Sequence, residues 1–154
     1  KFPERVFDWN NLFYVCPHCN NLKKEAKYDD KIIDCCVDDP ESMLEQCYEN
    51  GHVNVLNIVD KECAIMTAQL IQDAFEKCNT GIREAACQYR INQLSDEMNV
   101  LYKILEKHKK NPELQRYKKS LKVTLSRTSV FAAFKRNYVR KHIMDYPDLE
   151  EFLM

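Results

Sequence analysis

The chain has 154 residues, which suits one ordinary domain or a small module joined to a helical body. Hydrophobic residues make up 45% of it and charged residues 31%, with a formal net charge of -1, and this balance excludes wholesale disorder. The two glycines are too few for sandwiches, barrels and Rossmann sheets, because the tight turns and phosphate loops of those folds use glycine repeatedly. No apolar run reaches about 18 residues, so no membrane contact is predicted.

The first part of the chain, residues 1–39, is predicted to be an irregular polar module with one short strand at residues 12–15. The sequence Asp39-Pro40-Glu41 then predicts the start of a helix, because a carboxylate caps the first turn and proline suits the first helical position. We expect this helix to run to about Glu49 and to end at Asn50-Gly51.

Beyond that point, alternating polar and apolar residues over 52–59 predict one short strand. From Asp60 the apolar period becomes helical and predicts two helices, which Asn79-Thr80-Gly81 separates. The second of them ends at Asn111-Pro112. Its apolar residues recur at spacings of four and three, as in a coiled coil, and they are Cys87, Ile91, Leu94, Met98, Leu101 and Leu105.

A strongly basic segment follows. Residues 103–142 contain thirteen Lys or Arg and two acidic residues, Glu106 and Glu113. They are predicted to be helical, with an interruption near residues 126–129, and to end in an acidic tail. A segment of this charge is typical of a polyanion-binding surface or of a solvated outer helix face, and charge patterning alone does not separate the two. We expect the segment to dock on a protein partner, with Phe131, Phe134, Lys135, Arg136 and Tyr138 as its contact residues.

The eight cysteines carry the strongest chemical signal. Without a secretion signal they indicate a reducing cytoplasm, so we expect free thiols rather than disulfides. Cys16-Pro17-His18-Cys19 has the spacing of a zinc knuckle, in which two thiolates meet one tetrahedral metal. Cys35 and Cys36 are candidates for the remaining ligands, although one of them with an upstream residue, or simple core packing of both, fits the sequence equally well.

The same four residues also match the active-site string of a thioredoxin-like oxidant, in which a helix N-terminus and the intervening histidine stabilise the first thiolate. A thioredoxin fold requires a later strand pair and a proline loop facing the disulfide. Pro112 and Pro147 both lie at predicted helix starts instead. A thiol-disulfide oxidoreductase is therefore the third choice among the functions.

The residues around the knuckle resemble the HNH nuclease family. Asp8-Trp9-Asn10-Asn11-Leu12, followed by a short apolar stretch and Cys16-Pro17-His18-Cys19-Asn20-Asn21-Leu22-Lys23, reads like the second half of an HNH motif. Further strings, Thr67-Ala68-Gln69-Leu70-Ile71 and Phe131-Ala132-Ala133-Phe134-Lys135-Arg136, are most similar to the HNH subunit of the Septu anti-phage system. The resemblance extends over most of the chain, and the knuckle is its most specific part.

The resemblance implies a fold and a site. The fold would be mainly α, with a zinc-knuckled HNH half-motif in residues 1–39 and three to four helices in residues 40–154. Zn would be structural and Mg or Mn catalytic, acting in phosphodiester hydrolysis of DNA or RNA. The implied functional residues are Asn20 as metal ligand, Asn11 bracing the loop that orients a histidine, Cys16, Cys19, Cys35 and Cys36 as zinc ligands, and Lys23 and Lys24 on the nucleic acid.

One expected residue is missing from the match. HNH nucleases use a first-strand histidine as general base, and none precedes Phe2, while His18 between the cysteines is a poor substitute. Because the chain opens inside the motif without methionine, we expect this histidine upstream of Lys1. The predicted function is a nuclease controlled by an ATPase partner in phage defence. The alternative is a non-catalytic, zinc-stabilised helical adaptor that binds an ATPase or nucleic acid.

Overall fold

The computed structural model describes residues 17–23, 26–28, 31–77 and 81–154. As predicted, this part of the chain is mainly helical. It also contains one two-stranded antiparallel sheet, which the sequence does not predict. Its helices and strands are α1 (Pro17–Lys23), β1 (Leu44–Glu49), β2 (His52–Asn57), α2 (Glu62–Glu76), α3 (Gly81–Lys110), α4 (Gln115–Thr124) and α5 (Ala132–Lys141). None of the helices within these ranges combines the length and the hydropathy that a membrane span requires.

The chain divides into two compact units. The first unit contains the described residues up to Leu44 together with Val55–Cys87, and the second contains Glu45–Asn54 together with Gln88–Met154. This division differs from the boundary predicted after residue 39. The hairpin and the long helix α3 each contribute residues to both units, so no single cut in the sequence separates them.

The helix predicted from Pro40 to Glu49 is wrong. Only its first turn forms, as the short 3-10 turn Pro40–Ser42, where the Asp39 carboxylate accepts a hydrogen bond from the Glu41 backbone N–H at 3.2 Å. The chain then continues as strand β1. Asn50 and Gly51 have φ angles of 52° and 82°, and positive values at both positions make the tight hairpin turn for which Asn-Gly is the preferred sequence. The strand predicted at 52–59 is confirmed as β2.

Side-chain amides cover backbone groups of both strands. In the first unit the Gln72 Oε1 atom accepts a hydrogen bond from the Val55 backbone N–H at 2.9 Å. In the second unit the Asn137 Nδ2 atom donates to the Gln46 carbonyl oxygen at 3.0 Å. Each strand of the hairpin thus has one backbone group hydrogen-bonded to a helix side chain.

The core of the first unit lies on α2. The buried residues of this helix are Ala64, Ala68, Ala74 and Phe75. The helical apolar period predicts Ala74 and Phe75 among them, whereas Cys63, Met66 and Leu70 of the same predicted stripe are partly exposed. α1 and the 3-10 turn Ala26–Tyr28 pack against the same helix.

A hydrogen-bonded node on Asp73 holds that turn in place. The Asp73 carboxylate accepts from the Tyr28 hydroxyl at 2.7 Å and from the Lys27 ammonium at 2.9 Å. Burial acts to raise the pKa of Asp73, but these two hydrogen bonds outweigh it and lower the pKa. Burial also raises the pKa of Tyr28 to about 12, so the phenol stays protonated and keeps donating.

The core of the second unit follows the predicted seam of α3. Leu94, Met98, Leu101 and Leu105 are buried, and α3 ends at Lys110, next to the predicted stop. The basic stretch is confirmed as two helices, α4 and α5, with turns between them over the predicted interruption. These helices and the chain end add further fully buried residues to the core, namely Leu121, Leu125, Val139 and Leu149.

The C-terminal segment, residues 145–154, packs on the second unit. It forms the 3-10 turn Pro147–Phe152, with Leu149 fully buried. Its acidic side chains reach basic partners on α3 and α4 at hydrogen-bonding distance. The pairs are His108 Nε2 with Asp148 at 2.9 Å, Lys109 with Asp145 at 2.7 Å and Lys118 with Glu151 at 2.8 Å.

Candidate functional site

Helix α1 carries the described residues of the candidate nuclease motif. It begins at Pro17, because proline is well suited to the first helical position and its missing N–H is not needed there. Leu22 is fully buried, and the His18 Nε2 atom donates to the Ala74 carbonyl oxygen at 3.2 Å. These two anchors fix the short helix on α2, which leaves Cys19 and Asn20 partly exposed.

The implied nucleic-acid contacts lie at the end of the same helix. Lys23 is the last residue of α1 and its side chain is exposed. Asn21, next to Asn20, is also exposed. The predicted residues Asn11, Cys16 and Lys24 lie outside the described residues.

The structure does not assemble the predicted zinc ligands that it describes. Cys35 and Cys36 are exposed in a turn in which the Asp34 carbonyl oxygen accepts from the backbone N–H groups of Val37 at 3.0 Å and Asp38 at 2.8 Å. Within the described ranges, no three His, Cys, Asp or Glu side chains are grouped so that they could hold a metal ion, so Cys19 does not form such a group with that pair. Zinc binding by Cys16 and Cys19 stays a prediction.

The predicted partner surface on α5 needs correction. Lys135 and Arg136 are 2% and 1% exposed, and Phe134 is 3% exposed, so these three side chains belong to the interior of the second unit. The Lys135 ammonium donates to the Glu97 carboxylate at 2.9 Å. They are therefore not presented to a partner.

The Arg136 guanidinium has three backbone acceptors. It donates to the carbonyl oxygens of Leu125 at 2.9 Å, Phe152 at 2.8 Å and Leu153 at 2.7 Å. Two of these acceptors belong to the C-terminal segment. Arg136 thus joins α5, the end of α4 and the chain end within one hydrogen-bonded group.

The two other aromatic residues of the predicted surface are partly buried. Tyr138 stacks on His142 with ring centroids 4.2 Å apart and packs on Tyr102 at 4.8 Å. Phe131 contacts Phe134 edge to face at 6.3 Å. Both rings therefore pack against other side chains of the second unit.

The sequence does not indicate a polar cluster that surrounds Cys47 in the second unit. The Cys47 sulfur lies 3.1 Å from the Lys141 ammonium, 3.3 Å from Asn137 Nδ2 and 3.2 Å from the Glu45 carboxylate, beside a cavity of about 10 Å³. Burial raises the pKa of the Cys47 thiol and outweighs the effect of Lys141. A buried, protonated thiol is a poor nucleophile, so we interpret the cluster as part of the packing of the second unit and not as a reactive site. Glu45 and Cys47 are far in sequence from Asn137 and Lys141, and the two segments carry no motif.

Comparisons with protein-family models, with curated proteins and with solved structures found no match to this chain.

Proposed function

We propose that this chain belongs to a metal-dependent nuclease of the HNH type, which hydrolyses phosphodiester bonds in DNA or RNA. The observation that carries the proposal is helix α1. It begins directly after Cys16 and is anchored on α2, with Asn20 partly exposed and Lys23 exposed at its end. A helix at this position, with these residues, is what the HNH resemblance predicts.

The residues on α1 fit the proposed chemistry. An amide oxygen such as that of Asn20 is a ligand that hard cations accept, and the anchored helix limits the positions it can occupy. When bound, Mg²⁺ or Mn²⁺ would stabilise negative charge on the leaving oxygen. Lys23 would offer a positive charge to the phosphate backbone, and Cys19 would hold zinc with Cys16.

The same resemblance supports an ATPase partner that controls the nuclease in anti-phage defence. The proposal assigns no docking role to Phe134, Lys135 or Arg136, because these side chains lie in the interior of the second unit.

Cleavage tests the proposal through a matched pair of asparagines. Asn20→Ala should lower the rate of DNA or RNA cleavage in Mg²⁺ or Mn²⁺ by at least about 100-fold, because a metal ligand is lost. The exposed neighbour Asn21 provides the control, and Asn21→Ala should keep the wild-type rate. Equal rates in the wild type and both variants would remove Asn20 from the metal site.

Zinc content tests the knuckle independently of cleavage. Purified wild-type protein should contain zinc by elemental analysis, and Cys19→Ser should lose it, because a thiolate ligand is removed. Cys63→Ser, which changes a cysteine of α2, should retain the metal. Wild-type protein without zinc would contradict the knuckle and return the thiol-disulfide oxidoreductase to consideration. Zinc without cleavage would favour the non-catalytic adaptor.

A further inference from the structure

The structure sorts twelve of the thirteen basic residues of 103–142, all except Arg127, into two groups. The first group makes contacts within the second unit, with carboxylates or backbone carbonyl oxygens: Lys109, Lys118, Lys135, Arg136, Arg140 and Lys141. The second group is exposed and has no carboxylate partner in the described part of the chain: Lys103, Lys107, Lys110, Arg116, Lys119 and Lys122. The second group is called the α3–α4 basic surface below.

On α4 the members of this surface share one side of the helix. Leu121 is buried on the opposite side, while Arg116, Lys119 and Lys122 follow one another at intervals of three residues and are all exposed. The Arg116 guanidinium lies 4.7 Å from the centre of the Tyr117 ring, and this contact helps to hold the guanidinium in place. α4 contains no acidic residue, so its positive charge is not neutralised locally.

On α3 the arrangement is similar. Lys103, Lys107 and Lys110 are spaced by four and three residues, which places them on one face, and the buried stripe through Leu101 and Leu105 lies on the other. Glu106 is the one acid among the last eight residues of this helix.

A tight connection brings the two rows together in sequence. α4 begins five residues after α3 ends. Within that connection the Asn111 N–H donates to the Lys107 carbonyl oxygen at 3.1 Å, and the Leu114 N–H donates to the Asn111 carbonyl oxygen at 3.2 Å. The row on α4 therefore starts close to the point at which the row on α3 ends.

We propose that the α3–α4 basic surface binds the phosphodiester backbone of a nucleic acid. Three exposed cations on each of two consecutive helices, without carboxylate partners in the described residues, attract a polyanion and gain from the counterions that a nucleic acid releases. None of its residues belongs to α1. The inference concerns binding and does not depend on cleavage.

The composition of the surface favours nucleic acid over a protein partner. Protein interfaces are depleted in lysine and rely on aromatic anchors in their centre. α4, which the structure describes throughout, has Val123 as its one exposed large hydrophobic residue. The exposed Gln115 beside the cations has a side-chain amide of the kind that donates hydrogen bonds to phosphate oxygens.

The salt dependence of binding tests the inference. Fluorescence anisotropy of a labelled DNA duplex is measured over a series of salt concentrations without added divalent metal. The double variant Lys119→Gln/Lys122→Gln should flatten the log–log slope by about 1.8, because each lost phosphate contact removes about 0.9. With single-stranded DNA or RNA the expected change is about 1.4, because the value per contact is about 0.7.

The control removes the same amount of charge, with one lysine from α3 and one from α4. In Lys109→Gln/Lys118→Gln the altered lysines are those that pair with Asp145 and Glu151, and the slope should stay at the wild-type value. Circular dichroism of both variants verifies that they are folded. Equal slopes for all three proteins, or equal flattening in both variants, would overturn the inference. Because no step requires cleavage or zinc, this result stands apart from the outcome for the proposed nuclease.

Discussion

Arg136→Met is expected to lower the free energy of unfolding by about 3–5 kcal/mol, as urea denaturation followed by circular dichroism would measure it. The Arg136 side chain is 1% exposed and donates to three carbonyl oxygens. Methionine fills a similar volume but donates nothing, so the carbonyl oxygens of Leu125, Phe152 and Leu153 lose a charged donor inside the protein. Hydrogen bonds to charged groups contribute about 1.5–3 kcal/mol each, and the contributions are not additive.

Two further variants separate this effect from the loss of positive charge. Arg116→Met removes the same charge from the exposed face of α4 and should change stability by less than about 0.5 kcal/mol. Arg136→Lys keeps the charge but lacks the planar fork that reaches several acceptors, so its stability should lie between those of wild type and Arg136→Met. A stability of Arg136→Met within error of wild type would contradict the buried network.

Glu97→Ala is expected to cost about 3 kcal/mol in the free energy of unfolding. Lys135 is 2% exposed, and the Glu97 carboxylate accepts its hydrogen bond at 2.9 Å. Removing Glu97 leaves a buried ammonium without its partner, a change that costs about 3–5 kcal/mol in buried ion pairs. The lower end applies because the Glu97 side chain is itself 38% exposed. Asp96→Ala, at the exposed neighbouring position of α3, should be nearly neutral in the same urea titration.

The double variant gives the sharper result. Lys135→Met removes the buried charge, so adding Glu97→Ala to it should cost much less than Glu97→Ala alone. The Lys135→Met/Glu97→Ala protein should therefore be more stable than the single Glu97→Ala protein. Additive losses in the double variant would mean that the ammonium does not depend on Glu97.

The sequence predicts the helical elements well where their apolar period is long. The seam of α3 spans several heptads, and helix formation follows from burying it, so Leu94, Met98 and Leu101 lie where the pattern indicates. The prediction of a helix from Pro40 to Glu49 fails for a local reason. Asp39-Pro40-Glu41 does start a helical turn, and Asn50-Gly51 suits both a helix end and a hairpin turn.

The burial of Lys135 and Arg136 could not be predicted from their own surroundings. In sequence they belong to a basic run that resembles an exposed helix face. Their partners are distant along the chain: Glu97 lies on α3, and the carbonyl oxygens of Phe152 and Leu153 lie in the C-terminal segment. Such pairing depends on the tertiary fold, and no local sequence pattern predicts it.

The candidate site, too, is only partly predictable from the sequence. The sequence indicates a helix that carries Cys19 and Asn20 next to the knuckle, since Pro17 is a good first residue, and α1 has that form. The proposal that Cys35 and Cys36 join Cys19 rests on residue type alone. Adjacent cysteines in a turn have no spacing that would bring them to a distant third ligand, and the described structure does not bring them there.

The amides of Gln72 and Asn137 have a consequence for self-association of the protein. A two-stranded hairpin exposes unpaired N–H and carbonyl groups along its outer edges, and such edges template the addition of strands from other molecules. Because Gln72 occupies the N–H of Val55 and Asn137 occupies the carbonyl oxygen of Gln46, each edge has one of its pairing groups already taken. Side chains from helices thereby make each edge a poorer template for another strand at these positions.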